Sequence, residues 1–358
     1  MNKRERLLKK LTEAWGPSGF ESDVASIISE ELAPVGKLSR DKLGSVIAVQ
    51  EGRTKRGPRI MLAAHMDEVG FMVQQITKEG YLRFLALGGW SPRAMPSMRV
   101  LIRTHTGKDV VGVVGFKPPH ELGPEERKKP IELKDLHIDV GAIDKYDVKK
   151  ELGIRVGDPI APVTQFVPMT NKEMYLAKAW DDRSGCALMV EAMQELAETK
   201  HPNTVIGVGT VQEEVGLRGA QTSGHAVKPD LALAIDVALA RDTPGYREDT
   251  DCRMGAGAAI LAYDSTMIPN LALRDLAVDV AEEEGIPYQV TTLRGGYDTG
   301  RIHIQREGVP SLALGVPTRY AHSTESVIHR KDYESALRLI VALVERLDRR
   351  TVDKVVTR

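Results

Sequence analysis

Cysteine is almost missing from this chain: Cys186 and Cys252 are the only two in 358 residues. Two thiols build neither a disulfide scaffold nor a thiolate metal site, and their scarcity fits a reducing, cytoplasmic setting. An excess of charge is missing too, since 49 Lys and Arg nearly cancel 50 Asp and Glu. That balance leaves no electrostatic footprint for a nucleic-acid or membrane partner. No apolar run approaches the roughly 20 residues of a membrane span. The charged start, Met1-Asn-Lys-Arg-Glu-Arg-Leu-Leu-Lys-Lys10, carries no apolar core of a signal peptide. Aromatic residues are few, at 5% with three Trp, so stacking platforms for a sugar polymer would be sparse. Repeats and low-complexity tracts are absent as well.

What is present is an ordinary soluble composition, 42% hydrophobic and 28% charged, on a chain long enough for two units. Leu7, Leu8, Leu11, Ala14 and Trp15 recur at helical spacing until Gly16-Pro17-Ser18-Gly19 stops them. Val24, Ile27, Ile28 and Leu32 line a second helix, and strand-like runs follow at 37–40 and 45–50. Residues 59–64 read as a continuously apolar, fully buried strand that ends in His65-Met66-Asp67. From about 69 to about 166 the texture changes. Short apolar runs at 71–76, 81–87, 100–104, 110–116, 136–140 and 158–162 alternate with Gly, Pro and charge. One helical stretch near 145–152 and a polar loop from Pro118 to Pro130 complete this part, which has the pattern of a small β-rich unit. After Asp181 the chain alternates again: helix 182–199, strand 204–211, strand 231–235 ending at Asp236, helix 271–284, strand 288–293, helix 299–306, strand 311–314 and helix 333–347. Such alternation predicts an α/β sheet covered by helices. The reading is therefore one discontinuous α/β domain, 1–69 and 166–358, interrupted by a β-rich insertion at 70–165.

The most informative stretch is Val211-Gln-Glu-Glu-Val-Gly216, where two adjacent carboxylates close the run that begins at Thr204. Neighbouring side chains on extended backbone point to opposite faces, and the twist at a strand end lets both acids reach one cleft. Such a pair suits a division of labour: one carboxylate grips a cation while the other moves a proton. His65-Met66-Asp67 puts an imidazole and a carboxylate on one side of an extended segment. An imidazole bound to metal through one nitrogen wants an acceptor at the other. Asp181 and Asp182 open a helix, where acids also serve as caps. Asp236 follows a buried apolar run, a costly place for an acid unless it is paired or holds a metal. His322 follows another buried strand, where the plainer reading is a hydrogen-bonded loop histidine. Together His65, Asp181, Glu214, Asp236 and His322 offer two imidazoles and three carboxylates, a set that suits Zn²⁺, Co²⁺ or Mn²⁺ rather than Ca²⁺. Five ligands exceed one catalytic zinc with an open position and match two ions bridged by one carboxylate.

The segments Ala64-His-Met-Asp-Glu-Val-Gly70, Asp181-Asp-Arg-Ser-Gly185, Val211-Gln-Glu-Glu-Val-Gly-Leu-Arg-Gly-Ala220, Ala234-Ile-Asp-Val237 and Arg319-Tyr-Ala-His-Ser323 resemble a known family. It is that of the dinuclear glutamyl/leucyl metallo-aminopeptidases, which assemble as tetrahedral particles and some of which carry an endoglucanase label. The likeness runs from the first helix to the last and includes Pro118-Pro119-His120 in the insertion. It implies that Asp181 bridges two divalent ions, with His65 and Asp236 completing one site and Glu214 and His322 the other. It further implies that Asp67 orients His65 and that Glu213 is the general base. The insertion then corresponds to the family's dimerisation domain. The chain becomes a subunit of a homo-oligomer, a dimer at least and a dodecamer on the tetrahedral plan. Three positions depart from the family pattern. Trp180 stands where a smaller apolar residue is common, Met98 where Gln is common, and Tyr297 where Thr is expected. They bear on substrate preference and touch no ligand.

The reaction implied is hydrolysis of the first peptide bond of a short peptide with a free N-terminus, Asp298 being a candidate partner for the substrate's ammonium. A deacylase or carboxypeptidase on the same metal site is the alternative. An endoglucanase needs two carboxyl groups flanking a sugar bond and usually no metal, which leaves His65 and His322 without a task.

Overall fold

The computed structural model describes residues 1–54, 57–246 and 250–357; the side chain of Pro119, part of the resemblance above, lies outside the description. The continuously apolar runs occupy the centre of the fold. Strand Arg59–His65 lies between Thr204–Thr210 and Leu231–Leu239, both parallel to it, and Ser311–Arg319 adds a fourth parallel strand beside Leu231–Leu239. Antiparallel strands finish both sides: Val46–Gln50 and Lys37–Arg40 at one, Ser326–His329, Met174–Ala177 and Val167–Pro168 at the other. Ala258–Tyr263 branches from Ser311–Arg319 and pairs in turn with Tyr288–Thr292, for eleven strands among the described residues.

A strand buried on both faces has no reason to alternate polar and apolar residues. Ile60, Leu62 and Ala64 join the main core with helices Lys3–Glu13, Ser22–Leu32, Trp180–Ala197, Leu271–Glu283 and Arg330–Arg346. Met61 and Ala63 face the other way, into a smaller core with helices Arg218–Val227 and Thr299–Ile302. Among the described residues no helix is long and apolar enough to cross a membrane.

Strands Gly70–Ile76, Leu82–Leu87, His137–Asp139, Asp109–Gly115, Arg99–Arg103 and Pro159–Pro162 close, in that spatial order, into an antiparallel barrel. Its core is its own, built on Phe71, Phe84, Val100, Ile102, Val114 and Ile138, with the Trp90 ring stacked 4.9 Å from Phe71. Closure removes the sheet edges that such short strands would otherwise expose.

Several expectations need correction. Asp236 does not end its strand. The ladder with Ser311–Arg319 continues from Ala232 opposite Ser311 to Leu239 opposite Thr318, so Asp236 sits inside it. Helix Arg218–Val227 and strand Ala258–Tyr263 were not anticipated. The first is rich in Gly and polar residues and is flanked by Leu217 and Lys228 in left-handed conformation, so its ends carry no ordinary capping signal. The helix expected at 299–306 is only Thr299–Ile302. The terminal helix stops at Arg346, and a further helix, Arg349–Val356, starts where the Asp348 side chain accepts the Thr351 N–H.

Candidate active site

The four parallel strands point the same way, and in such sheets the cleft forms beyond their carboxyl ends. His65 is the last residue of its strand, paired with Thr210, and the chain beyond Thr210 leads directly to Glu213 and Glu214. The register that pairs Ala63 with Ala234 carries Asp236 to the flank of His65, whose Nε2 lies 3.9 Å from Asp236 Oδ2. His322 follows strand Ser311–Arg319, and its Nδ1 is held 2.6 Å from the carbonyl oxygen of Gly89. Asp181 enters at the start of helix Trp180–Ala197. It stands between the imidazoles, with Oδ1 2.9 Å from His65 Nε2 and Oδ2 3.3 Å from His322 Nε2. Glu214 Oε1 is 3.4 Å from the same His322 nitrogen. The five expected ligands thus meet in one cluster with Asp181 at its middle.

Supporting contacts explain the motif residues one by one. Asp67 Oδ1 accepts the Glu213 N–H (2.9 Å), while Oδ2 accepts the Glu214 N–H (3.2 Å) and the Ser18 hydroxyl (2.6 Å). His65 Nδ1 is 3.0 Å from the Asp67 carbonyl oxygen and 3.5 Å from its carboxylate. Asp67 therefore grips the backbone of the acid pair as well as facing the imidazole. Glu21 Oε1 accepts the N–H of Gln212 (3.0 Å) and of Gly19 (2.7 Å), so the turn after the first helix also clamps the acid pair. Neither Ser18 nor Glu21 was singled out from sequence, where the only signal was a turn of Gly, Pro and Ser. Asp182 Oδ1 accepts the Gly185 N–H (2.8 Å) and Oδ2 the His65 N–H (3.2 Å), the work of a cap. Gly185 has no room for a side chain, since a Cβ there would lie 2.3 Å from the Ile235 carbonyl oxygen.

Backbone strain concentrates here too. Of eight described non-glycine residues at positive φ, five (Ala179, Gln212, Leu217, Tyr320 and His322) sit on the loops that carry these side chains. Each costs on the order of 1–3 kcal/mol and persists only where the surroundings impose it.

The electrostatics are those of too many acids in too little water. Burial, then the neighbouring Asp181, pushes the Glu214 carboxyl up to about 8. Burial also raises Glu213 and Asp236, helped by Glu214 for the first and Asp181 for the second. Burial works against Asp181 as well, but hydrogen bonds from His322 and His65 outweigh it and hold that carboxyl below its usual range. Burial opposes a charged His322, yet Asp181 and Glu214 lift it to about 10. Two imidazoles cannot neutralise Asp181, Asp182, Glu213, Glu214 and Asp236, and among the described residues the buried Glu214 Oε1 makes no hydrogen bond, only the 3.4 Å approach of His322 Nε2. Three sets of potential ligand atoms each lie within 4.8 Å of one another: His65, Asp182 and Asp236; His65, Glu213 and Glu214; Asp181, Glu214 and His322. The donor set, its surplus negative charge and the buried oxygen without a hydrogen bond fit divalent cations.

The cluster opens into a cavity of about 830 Å³ whose other wall includes Leu217, Leu239, Thr266, Leu293, Tyr297 and Arg301. Arg301, not singled out from sequence, is exposed and has no ion pair among the described residues. Asp298 does not line this cavity: it is 2% exposed, its Oδ2 accepts the Thr210 hydroxyl at 2.5 Å, and its Oδ1 has no partner. Trp180 packs against Phe166 and Tyr175, and Met98 belongs to the barrel core. Of the three departures from the family pattern, only Tyr297 reaches the cavity, its hydroxyl donating to the Val237 carbonyl at 2.8 Å.

Residues 44–339 match the M42 glutamyl aminopeptidase model. The glutamyl aminopeptidase of Lactococcus lactis subsp. cremoris is 35% identical over 350 residues, covering 97% of this chain and 98% of that protein. The lysyl aminopeptidase of Pyrococcus furiosus is 33% identical over 351 residues, 95% of this chain and 96% of its own. A TET aminopeptidase from the marine sediment archaeon Thaumarchaeota archaeon SCGC AB-539-E09 superposes with a TM-score of 0.94 at 44% identity, covering 99% of both chains. The Pyrococcus horikoshii TET1 peptidase, which can assemble into a tetrahedron or a large octahedral shell, gives 0.85 at 32% identity over 96% of this chain and 99% of that one.

Proposed function

The chain belongs to the M42 glutamyl aminopeptidase family of metal-dependent peptide hydrolases, and on that premise we propose that it removes the N-terminal residue of short peptides with two divalent ions gathered around Asp181. The observation that carries this reading is the position of Asp181, one oxygen toward His65 and the other toward His322. His65 and Asp236 would hold one ion, Glu214 and His322 the other, and Asp181 both. Zn²⁺, Co²⁺ and Mn²⁺ suit these donors. Such ions, when bound, supply an acidified water and positive charge for the developing oxyanion. Glu213, lining the same cavity, takes the proton of the attacking water and returns it to the leaving amine. Asp67, through the Glu213 N–H, keeps that base in place. Asp298, buried beside Thr210 and not lining the cavity, would act on the substrate's ammonium through its field rather than by contact.

The relatives' names divide between acidic and basic N-terminal residues. Arg301 favours the acidic choice, because among the described residues it is the one cationic side chain on the cavity wall apart from the two histidines and it has no ion pair with an acid. A glycosidase reading has nothing to do with two imidazoles set on either side of one carboxylate. A panel of Glu-, Asp-, Leu- and Lys-anilides, N-acetylated peptides and cellulose tests all of this. Cleavage of the free-amine substrates, led by Glu or Asp, is expected. Turnover confined to N-blocked peptides would turn the reading to a deacylase, and release of C-terminal residues to a carboxypeptidase.

The barrel, within residues 70–165, is assigned the role of a dimerisation domain. Tyr81, Val111 and Val113 lie exposed on its outer face, at 37%, 60% and 43%, and a related peptidase can assemble into a tetrahedron or a large octahedral shell.

A further inference from the structure

A second buried charge cluster lies outside the cavity. Lys178 Nζ is 2.6 and 2.5 Å from the two carboxylate oxygens of Glu68, and those side chains are 5% and 1% exposed. Arg183 Nη2 stands 3.5 Å from Glu68 Oε1 and 3.3 Å from the Gly16 carbonyl oxygen. Its Nη1 donates to the carbonyls of Leu11 (2.6 Å) and Ala14 (3.1 Å), at the carboxyl end of helix Lys3–Glu13. The Glu68 N–H donates to the Gly16 carbonyl at 2.9 Å. None of the three side chains lines the cavity.

What they do share is chain position. Glu68 directly follows Asp67 and stands three residues past His65. Lys178 stands three residues before Asp181, and Arg183 two after it. Two ion pairs on Glu68, the short one from Lys178 and the longer one from Arg183, therefore join the segment that carries His65 to the segment that carries Asp181, and Arg183 anchors both to the end of the first helix. Burying charges for stability alone is a poor device, since well-packed apolar residues of similar volume do as well or better. What a buried pair adds is register: the two segments can dock in only one way.

We propose that Glu68, Lys178 and Arg183 are positioning residues that set Asp181 against His65 before any ion arrives. The proposal rests on the metal reading above. Its test uses the full-length protein, with Zn²⁺ followed by titration calorimetry and the visible absorption of Co²⁺ as a report on ligand geometry. Wild type should take up two equivalents. K178M, which leaves Glu68 only the longer 3.5 Å contact with Arg183, should weaken metal affinity by roughly 10–100-fold, the usual effect of losing an outer support, and change the Co²⁺ spectrum. K178R should restore part of both. E68D keeps every charge and withdraws the carboxylate by one methylene, so it decides the matter even if K178M does not fold. It should fold, yet bind metal more weakly and with an altered Co²⁺ spectrum. If E68D shows wild-type affinity and spectrum, with at most a lower melting temperature, the cluster is merely structural and the proposal falls. If wild type takes up fewer than two equivalents, the dinuclear reading falls first and this one with it.

Discussion

Glu213 and Glu214 hang from one backbone whose N–H groups are both held by Asp67, and the proposed mechanism gives their side chains different work. Glu214 reaches toward His322 and Asp181 as a ligand would, whereas Glu213 takes no part in that trio. Glu213→Gln keeps the shape but cannot accept a proton at neutral pH. It should lower kcat by about 10²–10⁴-fold, the usual worth of a general base, with metal content near wild type. Glu214→Gln should lose metal first and regain part of its activity in excess metal. Elemental analysis beside steady-state kinetics separates the two, and a metal-free Glu213→Gln would mean the roles are reversed. Asp67→Asn should weaken metal affinity by about 10–100-fold. Because it also puts an amide where two backbone donors converge, kcat should fall as well. An unchanged kcat in metal-saturated Asp67→Asn would show that its grip on the acid pair is dispensable. At this scale the candidate ligands were legible because a carboxylate or imidazole beside a buried apolar run is itself unusual. Ser18, Glu21, Glu68 and Lys178 were not. Ser18 meets Asp67 across 49 positions and Lys178 meets Glu68 across 110, and their local sequence is that of an ordinary turn or strand end.

The helix Trp180–Ala197 carries Asp181 and lies against the central strands, so its fit to the sheet decides where that carboxylate stands. Gly185 sets the fit, for any Cβ there meets the Ile235 carbonyl and the Asp182 carboxylate, each at 2.3 Å. Gly185→Ala should therefore destabilise the protein by about 1–3 kcal/mol, the range for overpacking. By pushing the helix off the sheet it should also weaken metal binding. A thermal melt and a metal titration on the same sample check both, and a variant as stable as wild type would show that the helix has slack. Elements with strong periodicity, such as the first two helices and the buried strand before His65, were readable in the chain. Arg218–Val227 was not, because a helix so rich in Gly and polar residues owes its existence to the groove it fills beside Thr299–Ile302. Nor could the continuation of strand 231–235 through Asp236 be read. An acid normally marks a strand's end, and only the neighbouring ladder overrides that.

On the scale of the whole molecule, the candidate ligands come from strands of the central sheet, the loops after them and the start of helix Trp180–Ala197, while the barrel keeps a separate core and turns apolar residues outward. Val111 and Val113 alternate with the inward Val110 and Val114 on one strand, and Tyr81 precedes a strand that shares His137–Asp139 as a neighbour. The face is therefore continuous across the ladder, and charge placed on it should act on assembly and leave the cleft alone. Wild type should scatter light as a particle at least twice the 39.3 kDa subunit and, on the plan of the tetrahedral relatives, as twelve of them. The double variant V111D/V113D sets two carboxylates into the proposed contact, where they would have to be desolvated without partners. Its mass at micromolar concentration should shift toward the single subunit, while Zn²⁺ uptake per chain stays that of wild type. An unchanged particle mass would move the interface off this face of the barrel. A wild-type particle of one subunit, fully active, would remove assembly from the account altogether. Loss of metal in the dissociated variant would show that the cleft is not self-contained and that a partner subunit completes it.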